Sequence, residues 1–162
     1  FHLPVREAQD LTIVSTGGYP KDINFIQSHK SIHHAHYVTR RDGVIICLAE
    51  CREGLGNDRF LDWFAFENDD EFRDALLHRY AMNAHTALAL KEKARHFRII
   101  FVSQLPDVVV RKLGMIPASS LGDALTLASP YVKEDAHVLV LGNGSLIVPK
   151  MQITEIDGGT QA

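Results

Sequence analysis

Short runs of mainly apolar residues constrain the fold of this chain more than any other feature. They lie at 11–14, 44–49, 98–102 and 137–141. Runs that are apolar on both faces are typical of strands in a parallel sheet covered on both sides. Segments with helical periodicity separate these runs. The sequence therefore predicts an α/β fold, a mostly parallel sheet covered by helices on both faces in a Rossmann-like three-layer sandwich.

The first apolar run leads through a glycine turn into a helix. Gly17 and Gly18 follow the run, and helical periodicity begins near Asp22. In such a βα unit, ligands gather where the strand ends and the helix begins. Because the turns after parallel strands open on the same edge, we expect several turns to meet there. They are 17–18, 50–56, 103–104 and 142–144.

Composition and charge exclude several classes of protein. The 162 residues fit one domain, and 46% apolar with 23% charged residues is ordinary for a globular fold. A net charge of −3 gives no electrostatic case for nucleic acid or an anionic membrane as partner. The apolar runs are shorter than the roughly 20 residues of a membrane span. We predict Cys47 and Cys51 to be free thiols in a reducing compartment and expect a cytoplasmic protein.

The two ends of the chain differ in character from its middle. Residues 1–10 have the character of a linker arriving from another domain, although processing of the terminus is an alternative. Residues 11–149 carry the strand and helix patterns of the α/β domain. The polar, glycine-containing segment 150–162 is expected to be flexible.

Gln27 and Lys30 are the first candidate site residues. They are three apart on the predicted helix and therefore share a face. A lysine ammonium and a carboxamide near a helix start can bind a carboxylate or hydroxyl oxygen. The alternative from spacing alone is a solvated helix surface.

Two further groups of residues carry possible chemistry. His29 and His33 have the i, i+4 spacing that can bind a metal, in a patch with His34 and His36, but no acidic residue or cysteine completes a ligand set. Glu50 follows a buried strand directly and is a candidate polar contact, whereas Cys51 is better explained as part of a turn. The paired glycines do not form a dinucleotide fingerprint, because a third glycine is missing after Gly18.

Several motifs together resemble the C-terminal domain of the nickel-dependent lactate racemase family. They cover most of the chain, from about 11 to 148. The matching segments are 15–24 with Gln27 and Lys30, 43–51 with Gly54 and Gly56, 102–103, and 115–118.

The resemblance implies half of an enzyme. Members of this family invert the configuration of 2-hydroxy acids with a nickel pincer nucleotide, which an N-terminal domain binds. Their C-terminal domain closes over the site and contributes a Tyr-Gln-x-x-Lys motif. Gln27 and Lys30 match that motif as the implied catalytic and substrate-binding residues, and Gly17, Gly18 and Glu50 are the further implied substrate contacts.

The same resemblance implies where the chain departs from its family. Ile26 stands at the tyrosine position, and an aromatic residue expected near 86–88 is absent. Both departures favour a 2-hydroxy acid other than lactate. The implied partners are the protein's own N-terminal domain and a small 2-hydroxy acid, this chain itself holds no metal, and alone it is expected to be inactive. The alternative is a binding module on the same scaffold that performs no chemistry.

Overall fold

The structure of this chain is a computed structural model that describes residues 1–66, 68–78 and 82–152. The strands are β1 (His2–Val5), β2 (Gln9–Ser15), β3 (Thr39–Leu48), β4 (Arg98–Val102), β5 (Ile116–Ala118), β6 (Val138–Leu141) and β7 (Val148–Met151). The α-helices are α1 (Phe25–Ala35), α2 (Asp69–His78), α3 (Ala84–His96), α4 (Asp107–Lys112) and α5 (Leu121–Ala128). Short 3-10 helices cover Phe60–Ala65 and Ser129–Tyr131.

The main sheet has five strands in the order β5-β4-β3-β2-β6, and every pair is parallel. Within this sheet the chain enters at β2 and moves outward through β3 and β4 to β5. It then returns to the other side of β2 with β6. The predicted α/β class with a mostly parallel sheet is confirmed.

Helices cover both faces of this sheet. Along β3, Ile45 and Cys47 belong to a core cluster that includes Ile32 of α1 and Leu90 of α3. Val44 and Ile46 belong to a second cluster, which includes Ala124 and Ala128 of α5. The alternation of side chains along a strand explains why one continuous apolar run supplies both layers.

The apolar segment 146–148, after the glycine turn 142–144, predicts a hairpin with the strand at 137–141, but this hairpin does not form. The turn after β6 is tied to β2 instead, because the Gly144 N–H donates to the Ser15 carbonyl at 2.7 Å. The chain is thereby carried away from β6, and β7 pairs in parallel with β1. Lys150 and Met151, within the predicted flexible segment, belong to β7, and residues 1–10 include β1. Residues 153–162 lie outside the described part of the chain.

Several local predictions change in detail. Helix α1 begins at Phe25 rather than near Asp22, because the Asn24 side chain caps it by accepting from the Gln27 N–H at 3.0 Å. The segment around Trp63 is a 3-10 helix. The spacing of Phe72, Ala75, Leu76 and Tyr80 predicts the apolar face of a helix, and Tyr80 lies outside the described residues. Cys47 and Cys51 are free and buried, as expected. No described helix is both long and apolar enough to cross a membrane.

Candidate functional site

The candidate site lies at the carboxyl end of β2, where the strand order reverses. β2 is flanked by β3 on one side and β6 on the other. In open parallel sheets this reversal leaves a crevice between the turns that follow the neighbouring strands. The structure brings the four predicted turns together at this edge, and hydrogen bonds between their backbones connect them.

The turn after β3 supports the start of α1. The first helical N–H groups, of Phe25 and Ile26, donate to the carbonyls of Gly54 and Leu55 at 3.0 and 3.3 Å. The backbone of Gly56 approaches so closely that an added Cβ would lie 2.5 Å from the Asn24 side chain. The orientation of α1, and of Gln27 and Lys30 on it, therefore depends on this turn.

A small pocket, which we call the lysine pocket, lies between α1 and the turn after β6. It has a volume of about 170 Å³ and is lined by Lys21, Gln27, Lys30, Ser145 and Leu146. The Lys30 ammonium donates to the Gln27 carboxamide oxygen at 2.9 Å. That bond leaves the Gln27 amide group as a donor toward the pocket. Two ammonium groups with no carboxylate in the lining make a local environment that favours an anion.

Lys21 joins this pocket through a contact that the sequence does not reveal. Its ammonium donates to the Asn143 side-chain oxygen at 3.3 Å, and the Ser145 hydroxyl donates to the same oxygen at 3.0 Å. Gly17, with φ of +100°, lets the chain pass Asn143, whose side chain would lie 2.6 Å from an added Cβ. The contacts of Lys21 and Gly17 with Asn143 join residues more than a hundred positions apart, so no local pattern could have found Lys21 or Asn143.

A larger opening, which we call the edge cleft, runs along the ends of β2, β3 and β4. It has a volume of about 390 Å³. Its lining consists of Ser15, Gly18, Asp22, Leu48, Ala49, Glu50, Val102, Ser103, Gln104 and Ser119. Of the predicted site residues, Gly18 and Glu50 lie here, whereas Gln27 and Lys30 line the lysine pocket. The predicted set is therefore divided between two cavities, and Gly17 lines neither of them.

Asp22 ties the two glycine turns together. Its carbonyl accepts from the Cys51 N–H at 2.8 Å, and its carboxylate accepts from the Glu50 N–H at 3.3 Å. Glu50 is held in turn by Gln104, whose amide donates to the Glu50 carboxylate at 3.1 Å. From sequence alone, an acid at the start of a predicted helix is explained by the helix dipole, so these contacts of Asp22 with the turn after β3 could not be predicted.

The cysteines are not placed for nucleophilic chemistry. Burial raises the pKa of the Cys51 thiol to about 11, against a smaller lowering by the hydrogen bond with Ser28. Burial also raises the pKa of Cys47 strongly. A thiol that stays protonated at neutral pH is a weak nucleophile and a poor metal ligand. The turn role predicted for Cys51 agrees with its φ of +55°.

The histidine patch faces α3 and the turn after β6 rather than the two cavities. The Nδ1 atom of His34 forms a hydrogen bond with the Gly144 carbonyl at 2.6 Å. The Nε2 atom of His33 forms one with the Tyr37 hydroxyl at 3.0 Å. Burial, followed by the nearby Lys93, lowers the pKa of His29 to about 3 and that of His33 to about 4. Within the described ranges, no group of three or more His, Cys, Asp or Glu side chains is arranged to hold a metal ion.

The fold and the two cavities define an open parallel α/β domain with a cationic pocket at its strand-order reversal. A family model for the lactate racemase C-terminal domain matches residues 5–148. The chain belongs to the lactate racemase C-terminal domain family.

Two relatives of this chain are lactate racemases. The chain is 30% identical over 145 residues to the lactate racemase of Thermoanaerobacterium thermosaccharolyticum, covering 86% of this chain and 34% of that protein. It is 29% identical over 147 residues to the lactate racemase of Lactiplantibacillus plantarum, covering 87% and 35%. The lactate racemase apoprotein structure from T. thermosaccharolyticum superposes with a TM-score of 0.80 at 28% identity, over 90% of this chain and 36% of that one. The chain thus spans about a third of the length of these relatives.

Proposed function

We propose that this chain is the substrate-facing domain of a racemase or epimerase for a small 2-hydroxy acid. The observation that carries the proposal is the lysine pocket, on a domain of the lactate racemase family. The Lys21 and Lys30 ammonium groups and the Gln27 amide are hydrogen-bond donors suited to a carboxylate. Lys30 and Gln27 are the residues we assign to catalysis, with Gly17, Gly18 and Glu50 as further contacts.

In this proposal the domain orients the substrate, and the cofactor carries out the redox chemistry. Holding the carboxylate of the substrate between two ammonium groups fixes the position of C2, the carbon whose configuration is inverted. Orientation of this kind supplies a large part of enzymatic rate acceleration. The pocket lies beside the exposed edge of the sheet, which suits a site completed by an N-terminal domain of the same protein.

The cofactor in this proposal is a nickel pincer nucleotide bound outside this chain. The described residues do not fit a metal site, since no set of three ligands converges among them. His29, which is buried, and His33, which is half-buried, lie near Lys93 of α3 instead. In this proposal another part of the protein supplies the nickel chemistry, and the isolated chain is expected to show no turnover.

The proposal is tested in the full-length protein with its cofactor loaded. We expect Lys30→Ala to lower kcat/KM for racemisation by about tenfold or more, because a charge-assisted hydrogen bond contributes about 1.5–3 kcal/mol. Chiral chromatography of a panel of 2-hydroxy acids measures the rate. Lys112→Ala, an exposed lysine outside both cavities, is the matched control and is expected to retain full activity.

Two results would contradict the proposal in different ways. Unchanged racemisation in Lys30→Ala would remove Lys30 from the site. A folded, cofactor-loaded wild-type protein that inverts no 2-hydroxy acid would instead favour the alternative of a binding module.

A further inference from the structure

Asn143, in the turn after β6, holds two of the side chains that line the lysine pocket. Its side-chain oxygen accepts from the Lys21 ammonium at 3.3 Å and from the Ser145 hydroxyl at 3.0 Å. Both donors line the pocket, whereas Asn143 itself does not. A single oxygen atom outside the lining therefore fixes two polar groups inside it.

The chemistry of Lys21 identifies this atom as the carboxamide oxygen. An ammonium group donates hydrogen bonds and has no lone pair with which to accept one, so it cannot face the NH2 group of an asparagine. Among the described residues, the hydrogen bonds of the Asn143 side chain all end on this oxygen. The orientation of the carboxamide thus follows from its partners.

The backbone around Asn143 leaves its side chain little freedom. The Asn143 carbonyl accepts from the N–H groups of Leu146 and Ile147 at 3.1 and 3.0 Å. On the other side, Gly17 lies so close that a Cβ added there would be 2.6 Å from the Asn143 side-chain oxygen. The acceptor for Lys21 is therefore held in place by the turns that follow β2 and β6.

A neutral acceptor also preserves the charge of the pocket. A carboxylate in this place would form an ion pair with Lys21 and cancel much of the attraction that the pocket has for an anion. A carboxamide binds the ammonium group and leaves its charge uncompensated. No aspartate or glutamate is among the residues that line the pocket, so the charges of Lys21 and Lys30 both act on a bound anion.

We propose that Asn143 is a positioning residue that holds the Lys21 ammonium as a fixed contact for the carboxylate of the substrate. Lys21 makes the contact, and Asn143 acts only through it. Fixing the ammonium group before binding reduces the side-chain entropy that is lost when the carboxylate binds. The inference rests on the proposed function for the placement of the carboxylate in the lysine pocket.

Asn143→Ala tests this role, because it removes the acceptor and adds no bulk beside Gly17. The probes are glycolate, a 2-hydroxy acid without a stereocentre, and glycolamide, its neutral amide. Ligand-observed NMR titration of the full-length protein measures the Kd of each probe. We expect Asn143→Ala to weaken glycolate about fivefold, the cost of ordering one free side chain, and to leave glycolamide unchanged.

A double-mutant cycle shows whether Asn143 acts through Lys21. Lys21→Met removes the ammonium group and keeps most of the stem. In that background Asn143→Ala should no longer change the Kd of glycolate, because the group it positions is gone. Should Asn143→Ala fail to fold, Asn143→Ser has a polar side chain too short to hold Lys21, and the same result is expected.

Asn57→Ala is the matched control. Asn57 follows the turn after β3 and lines neither cavity, so both probes should bind as in wild type. Equal weakening of glycolate and glycolamide by Asn143→Ala would overturn the inference, since a structural defect acts on both. An unchanged loss in the Lys21→Met background, or glycolate binding no tighter than glycolamide in wild type, would overturn it as well.

The outcomes separate the positioning role from the proposed function. Weakening that is selective for glycolate and depends on Lys21, in a protein that inverts no 2-hydroxy acid, would keep the role of Asn143 and remove the racemase. Unchanged glycolate binding in Asn143→Ala, together with loss of racemisation in Lys30→Ala, would keep the racemase and remove the role of Asn143.

Discussion

Gly144 shows how closely the chain packs behind the candidate site. A Cβ at this position would lie 2.1 Å from a Val14 side-chain carbon and 3.1 Å from Ser31, and the Gly144 N–H and carbonyl both make hydrogen bonds. We expect Gly144→Ala to lower the free energy of unfolding by about 1–3 kcal/mol, as overpacking in a core does. Urea denaturation measures the change.

Gly142 provides the matched control for that substitution. It lies two residues earlier in the same turn, and a Cβ there would meet nothing within 4 Å. Gly142→Ala is therefore expected to leave stability nearly unchanged. Equal destabilisation by both substitutions would show that the turn needs glycine flexibility rather than space.

At the scale of a single element, α1 connects the candidate site to a buried ionisable group. Gln27 and Lys30 lie on its exposed face, and His29 is buried beneath them. Burial, and then the Lys93 ammonium of α3, lower the pKa of the buried His29 and of the half-buried His33, and His36 acts on both in the same direction. The folded state therefore keeps His29 neutral, whereas the unfolded chain binds a proton near pH 6.5.

This arrangement predicts sensitivity to acid. The pKa of His29 is lower in the folded state, so the unfolded state gains protons first as pH falls below about 6.5. Stability from this source is unaffected above that pH and declines toward pH 3, by up to about 1.4 kcal/mol for each pH unit. Urea unfolding at several pH values measures the slope.

Substitution identifies the group responsible for the slope. His29→Leu should flatten the decline of stability between pH 6.5 and 4, because the unfolded chain loses that proton site. His85→Asn alters an exposed histidine of α3 and should leave the slope as it is. If both variants keep the wild-type slope, His29 does not control the acid sensitivity.

At the scale of the whole molecule, burial is concentrated in the middle of the five-stranded sheet. Ile45 and Ile46 of β3 and Ile99 and Ile100 of β4 are at most 1% exposed. The β1–β7 pair forms a separate two-stranded sheet, and its burial is much lower. Stability is therefore expected to differ between the two sheets.

Native-state hydrogen exchange tests this difference. Amides of β3 and β4 should exchange only through global unfolding, and those of β1 and β7 should exchange through local opening at lower free energy. Amides within β2 serve as an internal comparison, since β2 lies inside the main sheet. Equal protection in both sheets would mean that the terminal pair unfolds cooperatively with the core.

Much of the fold could be predicted because its signals are local. The apolar runs that became β2, β3 and β4 are buried on both faces, and that property is visible in the order of residues alone. The run that became β6 also predicts a fully buried strand, but β6 lies at the edge of the sheet and leaves Val138 and Val140 exposed. The spacing of Ser120 and Asp123 likewise predicts a helix N-cap, and the Ser120 hydroxyl accepts from the Asp123 N–H at 3.1 Å at the start of α5. The β6–β7 hairpin was wrong because a glycine turn between apolar runs does not specify which strand the second run joins.

The sequence by itself determined the class of fold, the edge of the sheet where the turns gather, and Gln27 with Lys30 as candidates. Only the tertiary structure decided that Lys21, which is hydrogen-bonded to Asn143, completes a cationic pocket. It also decided that Asp22 and Glu50 line a separate acidic cleft. The physical reason is that periodicity depends on neighbours in the chain, whereas a cavity depends on strand order. Closing β6 against β2 brings together residues that no local pattern relates.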